Sequence, residues 1–225
     1  MIKISSLSKE YKLPKSTVYA LKNIDLTIGD GQFVAIVGPS GSGKSTLMQM
    51  IGGMDKPTSG EVIVNDKVLS KMKDSELSEY RNNEVGFIFQ LFYLQNYLSV
   101  IENIQIPLFF RGVEKKKRYE MAYTAATNVG IADRIDHLPK ELSGGQMQRV
   151  AIARAIVGNP KVILADEPTA NVDRENSDKI MEQFKHIHET LNTTIIIVTH
   201  DERIAGVCDR IIRLEDGKIV SDENK

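Results

Sequence analysis

The sequence contains a single cysteine, Cys208, among its 225 residues, so no disulfide can form within the chain. A lone free thiol is consistent with a reducing compartment. The first residues, MIKISSLSKEYK, lack the apolar segment of a secretory signal, and we expect no signal peptide. No stretch supplies the roughly 20 apolar residues that a membrane-spanning helix needs. If the protein works at a membrane, we expect another chain to hold it there.

The chain also lacks an excess of either charge. Its 29 Lys and Arg residues and 30 Asp and Glu residues leave a formal net charge of −1, which does not favour nucleic acid or a membrane surface as a partner. The local run at 114–118, EKKKR, is predicted to be the solvated start of a helix, with a nucleic-acid patch as the alternative. Hydrophobic residues make up 41% of the chain, enough for one large domain or a domain with a small subdomain.

Residues 38–46, GPSGSGKST, match the phosphate-loop pattern G-x-x-x-x-G-K-[ST]. An apolar run at 33–37 precedes the loop and predicts a buried strand, and apolar residues at helical spacing follow it. In such a loop, backbone N–H groups and the positive end of the helix dipole surround phosphate oxygens. Lys44 is expected to reach the β- and γ-phosphates, and the hydroxyl of Ser45 is expected to bind Mg²⁺. The sequence therefore predicts binding of a nucleoside triphosphate by loop residues that include Gly38, Ser40, Gly41, Gly43 and Thr46.

Two carboxylates follow the apolar run at 162–165, which predicts a second buried strand. Asp166 is predicted to bind Mg²⁺, through water, as the second acidic partner does in phosphate-loop ATPases. Glu167 is predicted to act as the general base that polarises the attacking water. An Asp-Glu pair at the end of a strand is also common surface chemistry, and the phosphate loop upstream favours the functional interpretation.

A second predicted anion site lies at Ser143, Gly144, Gly145 and Gln146, where a Ser-Gly-Gly turn opens a helix. The alternative is an ordinary helix that Ser143 caps. Two phosphate sites for one nucleotide would be redundant within a chain. The redundancy disappears if the second site closes on the nucleotide of a partner chain.

The order of the patterns predicts an α/β fold with a parallel sheet and antiparallel strands at its edges. The opening is rich in predicted strands, with a loop or ribbon turn at 11–19, and residues 91–158 read as an inserted helical segment that contains a helix at 115–129. Predicted strands return at 162–165 and 194–198. A hairpin is predicted around Glu215-Asp216-Gly217.

With LSGGQ at 142–146, GPSGSGKST at 38–46 and VILADEP at 162–168, the chain resembles the ATP-binding-cassette ATPases over essentially its whole length. The resemblance implies a P-loop NTPase (RecA-like) core with an antiparallel β subdomain and an inserted α-helical subdomain. It implies one nucleotide-binding domain over 1–225, with a core at 1–90 and 159–225 and a helical subdomain at 91–158.

The resemblance also assigns residues and ligands. Tyr11 stands where the family stacks an aromatic ring on adenine, with Tyr19 as the weaker candidate. Gln90 resembles the glutamine that senses Mg²⁺ and the γ-phosphate, and His200 resembles the switch histidine that contacts the γ-phosphate. Asp173 resembles the aspartate that crosses to the partner subunit. The implied cofactors are ATP and Mg²⁺.

The implied assembly is a head-to-tail homodimer around two ATP molecules, although pairing with another cassette chain is open. The spacing of the motifs resembles the branch of macrolide exporters and lipoprotein-releasing systems, which includes antimicrobial-peptide-resistance ATPases. This implies a separate membrane permease with a large extracytoplasmic domain, and a place on the cytoplasmic face of the membrane. A permease helix is expected near Gln90, with residues 91–97 as candidate contacts.

The resemblance leaves two alternative functions to consider. Cell-division ATPases in the same branch suggest an ATP-dependent regulatory or mechanotransmission module that transports nothing. Cassette ATPases that act on DNA usually separate the two motifs by long coiled coils, which the sequence between 38 and 142 lacks, so we expect no nucleic-acid partner. The transported substrate is expected to touch the permease, and this chain does not identify it.

Overall fold

The computed structural model describes residues 1–14 and 16–225, in two compact units. The first unit comprises residues 1–81 and 192–225, and the second comprises residues 82–191. The subdomain boundaries expected from the resemblance stay a prediction.

In chain order, the described strands are β1 (Ile2–Leu13), β2 (Ser16–Ile28), β3 (Phe33–Val37), β4 (Ser59–Val64), β5 (Lys67–Val68), β6 (Val85–Ile88), β7 (Val162–Asp166), β8 (Thr194–Thr199), β9 (Arg210–Glu215) and β10 (Lys218–Asn224). The helices are α1 (Lys44–Ile51), α2 (Asp74–Glu84), α3 (Val100–Phe110), α4 (Lys115–Asn128), α5 (Gly144–Ile156), α6 (Arg174–Leu191) and α7 (Glu202–Ala205). No helix of residues 1–14 and 16–225 combines the length and the apolar character that crossing a bilayer requires.

In the first unit, one sheet is antiparallel, with the strand order β2-β1-β4-β5. Its strands alternate buried and exposed side chains, as a half-buried sheet does. The segment 11–19 was predicted to be a loop or ribbon turn, and most of it forms the paired ends of β1 and β2, where Tyr11 faces Val18. Ladder hydrogen bonds keep this ribbon extended although its side chains are exposed. Lys15, within the same predicted turn, lies outside the described residues.

The other strands of the first unit run in the order β10-β9-β3-β8. β3 pairs in parallel with β8 and with β9, and every residue of β3 and β8 is buried, as their apolar runs predicted. β10 pairs antiparallel with β9, and the turn between them consists of Asp216 and Gly217, both at positive φ. This two-residue turn confirms the predicted hairpin. Parallel strands with an antiparallel edge strand confirm the α/β prediction.

Of two helices in the first part of the chain, α1 was predicted from the sequence and α2 was not. α1 buries Leu47, Met48, Met50 and Ile51, as predicted, and ends at Gly52. α2 was not predicted, because among its eleven residues only Leu77 and Tyr80 are buried. The hydroxyl of Tyr80 donates a 2.9 Å hydrogen bond to the carbonyl of Ile51, which ties α2 to the end of α1.

The second unit contains the parallel pair β6 and β7 and the helices α3 to α6. α3, α4 and α5 pack against one another, consistent with the predicted helical segment. α4 ends in a Schellman motif: Gly130, at φ 69°, donates to the carbonyl of Thr127, and Ile131 donates to that of Ala126. The charged run at 114–118 begins α4, with the side chain of Glu114 as its cap.

Candidate functional site

The phosphate loop connects β3 to α1, as its sequence predicted. At Gly43, φ is 103°, and a Cβ there would overlap the carbonyl oxygen of Ala20. At Gly38, a Cβ would overlap the carbonyl oxygen of Leu214. Both positions therefore accept only glycine, because neighbouring backbone occupies the space of a side chain. At Gly41, φ is 80° and the space around a Cβ is open.

The turn between β9 and β10 contacts the backbone of this loop. The N–H of Gly217 donates a 3.0 Å hydrogen bond to the carbonyl of Ser42, and the carbonyl of Gly217 accepts one of 2.8 Å from Lys22. A Cβ at Gly217 would also press on the backbone of Ala20. The loop is thus shaped by backbone contacts from β2 and from the last two strands. Such a preformed backbone suits the binding of an anion.

Lys44 is the first residue of α1, and its side chain is buried. Its ammonium donates hydrogen bonds of 2.8 and 2.9 Å to the carbonyls of Gly38 and Pro39. Both of these acceptors are neutral, so they hold the ammonium without cancelling its charge. The first-turn N–H groups of a helix have no intrahelical partner, and the helix dipole is positive at that end. Together with the glycine backbone, the charge and the dipole fit a nucleotide phosphate chain.

Tyr11 is held on the surface of the first unit by two side chains that the sequence did not single out. Its hydroxyl donates a 3.1 Å hydrogen bond to Oδ2 of Asp55, and the same oxygen accepts one of 2.7 Å from the ammonium of Lys9. The ammonium lies 5.0 Å from the centre of the Tyr11 ring, within cation–π distance. Lys9 also donates to the carbonyl of Lys56 at 2.7 Å, so the cation is fixed beside the ring.

The same contacts shift two pKa values. Burial, followed by the hydrogen bond and charge of Asp55, raises the pKa of Tyr11, which therefore stays a neutral phenol. Burial alone would raise the pKa of Asp55, but hydrogen bonds from Lys9, Lys56 and Tyr11 outweigh it and lower that pKa. A hydrogen bond with the side chain of Thr46 acts on Tyr11 in the opposite sense. The structure thus brings Tyr11 next to a predicted phosphate-loop residue.

One sequence signal could have identified part of this arrangement. Lys9 precedes Tyr11 by two residues in β1, and residues two apart in a strand point to the same face. No comparable signal exists for Asp55, which reaches the ring from the turn after α1. The other aromatic candidate, Tyr19, is exposed on β2, opposite Glu10.

The remaining predicted residues of the first unit lie at the ends of its elements. His200 follows β8 directly and its side chain is exposed, and the next residue, Asp201, caps α7. Ser40 and Ser45 are exposed on the loop and on the first turn of α1.

In the second unit, Asp166 is the last residue of β7, and Glu167 follows it. Both side chains are half-buried. Glu167 has φ 46°, the left-handed region, which costs a residue with a Cβ roughly 1–2 kcal/mol. Its carbonyl accepts a 3.1 Å hydrogen bond from the N–H of Ala170 and so closes a turn. Strain of this kind is concentrated at functional positions, and it occurs here at the predicted general base.

The Ser-Gly-Gly turn begins α5, and Ser143 is its N-cap. The Ser143 hydroxyl accepts from the N–H of Gln146 at 3.3 Å, and the Gln146 side chain accepts from the N–H of Ser143 at 2.8 Å. This capping box is the alternative interpretation drawn from the sequence. The additional role as an anion site stays a prediction. A Cβ at Gly144 would lie 3.1 Å from the carbonyl oxygen of Asn171, so a side chain there has little room.

Asp173 lies just before α6 and binds the first turn of that helix. Its Oδ1 accepts a 2.9 Å hydrogen bond from the N–H of Asn176, and its Oδ2 accepts one of 2.7 Å from the Asn176 side chain. These two bonds, the first above all, lower the pKa of Asp173. Asn176 also approaches Gly145, where a Cβ would lie 3.1 Å from its Cγ. The crossing of Asp173 to a partner chain stays a prediction.

Gln90 lies two residues beyond β6, with an exposed side chain. Its carbonyl accepts a 2.8 Å hydrogen bond from Nδ2 of Asn171. Asn171 therefore contacts Gln90 through its side chain and packs by its backbone against Gly144. In the second unit, Asn171 thus contacts the predicted glutamine and the Ser-Gly-Gly turn at 143–146, called the signature turn below. No sequence pattern marks this role of Asn171, because its hydrogen-bond partner is a distant backbone carbonyl.

The predicted metal ligands are distributed over both units, with Ser45 in the first and Gln90 and Asp166 in the second. No cluster of three or more His, Cys, Asp or Glu side chains that could hold a metal occurs within residues 1–14 and 16–225. Each unit by itself offers one or two oxygen ligands, which suits Mg²⁺, because this ion usually binds one or two protein groups together with waters and substrate phosphates. When bound, Mg²⁺ neutralises the charge that develops on the phosphate oxygens.

The profile of the ABC transporter family matches residues 21–170 of the chain. The lipoprotein-releasing system ATP-binding protein LolD of Bacteroides thetaiotaomicron is 43% identical over 222 residues, which cover 99% of this chain and 100% of LolD. The macrolide export ATP-binding/permease protein MacB of Chlorobaculum tepidum is 45% identical over 225 residues, covering 100% of this chain and 34% of MacB.

Solved structures of similar proteins agree with the fold. The ATP-binding cassette MJ0796, a protein of Methanocaldococcus jannaschii, was solved as a dimer in a post-hydrolysis state bound to ADP and Pi. It matches with a TM-score of 0.93 and 41% identity, covering 100% of this chain and 98% of that one. This likeness confirms the predicted P-loop NTPase fold.

Proposed function

Because the chain belongs to the ABC transporter family and is an ATPase that uses ATP and Mg²⁺, we propose that it dimerises around two ATP molecules to drive a separate membrane permease. The permease would be of the lipoprotein-releasing or macrolide-exporting kind. One observation carries this proposal: the whole chain aligns with about a third of MacB, whose name joins an ATP-binding part to a permease part. The chain, which matches the ABC transporter profile, is thus similar to one part of a protein that also has a permease part.

In each proposed site, the residues of one chain hold and activate the substrate. Lys44 binds the β- and γ-phosphate oxygens, Tyr11 stacks on adenine, and the loop residues Gly38, Ser40, Gly41, Gly43 and Thr46 surround the phosphates. Glu167 accepts a proton from the water that attacks the γ-phosphorus, while the bond to the leaving ADP oxygen breaks. His200 and Gln90 contact the γ-phosphate side of the site. The strained turn at Glu167 supports this role.

The second copy completes each site in this proposal. Each chain has one phosphate loop and one signature turn, so a head-to-tail pair would place Ser143–Gln146 and Asp173 of one copy against the nucleotide of the other. The dimeric state of MJ0796, bound to ADP and Pi, supports the arrangement. ATP then stabilises the closed dimer because it contacts both copies, and hydrolysis removes that stabilisation.

The second unit carries a surface that suits a permease segment. An open apolar groove of about 770 Å³ lies along α3 and the start of α4. Its lining includes Tyr97, Phe109 and Phe110, which are 77%, 61% and 72% exposed. Exposed aromatic residues in such a cluster mark protein contacts. We propose that a cytoplasmic helix of the permease occupies this groove and holds the chain at the cytoplasmic face of the membrane.

The test uses a variant that binds ATP but does not hydrolyse it. Glu167→Gln should convert the monomer to a dimer in MgATP, measured by light scattering, because the general base is lost and the nucleotide contacts are kept. Glu189→Gln on the exposed face of α6 is the matched control and should not accumulate a dimer. A Glu167→Gln protein that stays monomeric at saturating MgATP contradicts the dimer.

The same variant then serves to identify the permease. We expect its capture from detergent-solubilised native membranes, in MgATP, to recover a membrane protein with a large extracytoplasmic domain. Charged substitutions at Phe109 and Phe110 should abolish that recovery without changing ATP-driven dimerisation. A recovered membrane complex that moves no substrate would instead support the regulatory, cell-division-type alternative.

A further inference from the structure

Two side chains donate hydrogen bonds to backbone carbonyls of the segment 90–93, which begins at Gln90. Nδ2 of Asn171 donates a 2.8 Å hydrogen bond to the carbonyl of Gln90. Nη1 and Nη2 of Arg154 donate bonds of 2.7 Å each to the carbonyls of Tyr93 and Phe92. The three bonds fix both ends of a four-residue segment. They all lie within the second unit.

Arg154 is half-buried, and its guanidinium donates to neutral carbonyls. Burial lowers the pKa of this arginine. Hydrogen bonds of a half-buried charge to neutral carbonyls contribute little to stability, because desolvation of the charge opposes them. The planar fork is, however, suited to spanning two consecutive carbonyls at once. This geometry favours a role in holding the segment in place.

The segment needs such support because its backbone is strained. Tyr93 has φ 48°, in the left-handed region that residues with a Cβ seldom adopt. Its ring packs edge-on against Phe89, with 5.4 Å between the ring centres, and Phe89 stacks on Phe87 of β6. The aromatic contacts anchor the segment to the strand, and Arg154 holds the carbonyl of the strained residue.

Both supporting residues are also connected to the signature turn. Arg154 lies in α5, one continuous helix that starts directly after Ser143. The backbone carbonyl of Asn171 lies 3.1 Å from the position of a Cβ at Gly144. A displacement of the signature turn therefore moves the two groups that hold the segment after Gln90.

We propose that Asn171 and Arg154 are positioning residues that fix Gln90 relative to the signature turn. The inference rests on the proposed function, in which Gln90 serves the nucleotide of its own chain and the signature turn serves that of the partner. Through these two side chains, closure of the partner on Ser143 sets the place of Gln90 beside the metal and the γ-phosphate. Neither residue touches the reacting atoms.

The test is a double-mutant cycle on the ATPase activity of the full chain. Asn171 is exposed, so Asn171→Ala removes the hydrogen bond without opening a cavity. We expect it to lower kcat by roughly tenfold to 10²-fold, with KM for ATP changed less than about twofold, and to raise the Mg²⁺ concentration for half-maximal activity. Asn128→Ala, at an exposed position near the end of α4, is the matched control and should match the wild type.

The second substitution of the double-mutant cycle is Gln90→Ala. If Asn171 acts through the Gln90 side chain, Asn171→Ala should cause no further loss in the Gln90→Ala background. A full additional loss there overturns the inference and leaves the role of Gln90 intact. Gln90→Ala with wild-type kcat and Mg²⁺ dependence overturns the role of Gln90 and the inference together. The two failures are therefore distinguishable.

A substitution at Arg154 provides a test that is independent of Asn171. Arg154→Lys keeps the charge but shortens the side chain and replaces the planar two-nitrogen fork by a single ammonium. We expect the same loss of kcat and the same shift in Mg²⁺ dependence. The thermal midpoint of each variant is measured in parallel. Variants that lose stability but keep the wild-type kcat and Mg²⁺ dependence at a temperature where they are folded would show a merely structural role and overturn the inference.

Discussion

The ammonium of Lys44 donates a 2.8 Å hydrogen bond to the carbonyl of Gly38, the first residue of its own loop. A second bond of 2.9 Å reaches the carbonyl of Pro39. The cation is thus held by two carbonyls of its own loop. We expect the same ammonium to exchange these neutral acceptors for charged phosphate oxygens when a nucleotide binds, because hydrogen bonds between charged groups are stronger.

Replacing this cation tests its role. Lys44→Ala should lower ATPase activity by about 10²-fold or more, because a donor to the developing charge is lost. Steady-state phosphate release is the measurement. Lys3→Ala, at an exposed position of β1, is the control for removing a lysine. A Lys44→Ala protein with more than a tenth of the wild-type activity would contradict the assignment.

The glycines of the loop make a graded prediction. Gly43→Ala combines φ 103° with an overlap on the carbonyl of Ala20, whereas Gly41→Ala has φ 80° and open space. We expect Gly41→Ala to lower the free energy of unfolding by about 1–2 kcal/mol. Gly43→Ala should lose about 1–3 kcal/mol more through overpacking, and ATP binding with it. Urea unfolding and nucleotide titration measure both. Equal effects of the two substitutions would refute the geometric argument.

The sequence contains no tryptophan, so a single introduced one reports on its own site. Tyr11→Trp should bind ATP, and its fluorescence should change on titration because the indole stacks on adenine. Tyr19→Trp on the neighbouring strand is the matched control and should respond weakly. The reverse pattern would assign the adenine contact to Tyr19.

The support that Asp55 provides is tested with Tyr11 in place, by calorimetric titration of ATP. Asp55→Asn removes the charge that pairs with Lys9 at 2.7 Å and accepts from the Tyr11 hydroxyl. We expect weaker ATP binding by roughly threefold to tenfold, because an unanchored ring loses more conformational freedom on stacking. Asp25→Asn, on the exposed side of β2, serves as the comparison. Unchanged affinity in Asp55→Asn would show that the ring needs no anchor.

Cys208 should be unreactive in the folded protein. Burial raises the pKa of its thiol to about 12, so the thiolate that attacks thiol reagents is nearly absent at pH 8. We expect modification at pH 8 to be at least roughly 10³-fold slower than in urea, and MgATP to slow it further by stabilising the folded state. The rate is measured from the coloured thiolate that a chromogenic disulfide reagent releases when the thiol attacks it. Rapid modification of the native protein would contradict this burial.

The parts of the fold that were predictable are those with local signals. The run at 33–37, the loop glycines and the apolar face of α1 each reveal their structure within a few residues, and the motif then locates the phosphate site. The hairpin at Asp216-Gly217 is equally local. The strand before Asp166 and Glu167 was recognisable because residues 162–165 are wholly apolar, and the roles of the two carboxylates stay predictions.

The parts that were missed depend on contacts between distant residues. α2 carries only two buried side chains, so its sequence shows no clear apolar face, and its attachment through Tyr80 to Ile51 leaves no pattern. The side chains at 11–14 and 16–19 are exposed, so no buried face marks these residues in the sequence, and ladder pairing extends most of them. Arg154 and Asn171 bind backbone carbonyls, which every residue possesses, so no residue type marks their partners.

The hydrogen bond from Gly217 to Ser42 has a consequence for biosynthesis. The phosphate loop leaves the ribosome early, whereas the hairpin of β9 and β10 that shapes it emerges much later. The nascent chain therefore contains the loop long before it contains the hairpin that shapes the loop. We expect nucleotide binding to be a late step of maturation and a chain stalled before the hairpin to bind ATP weakly.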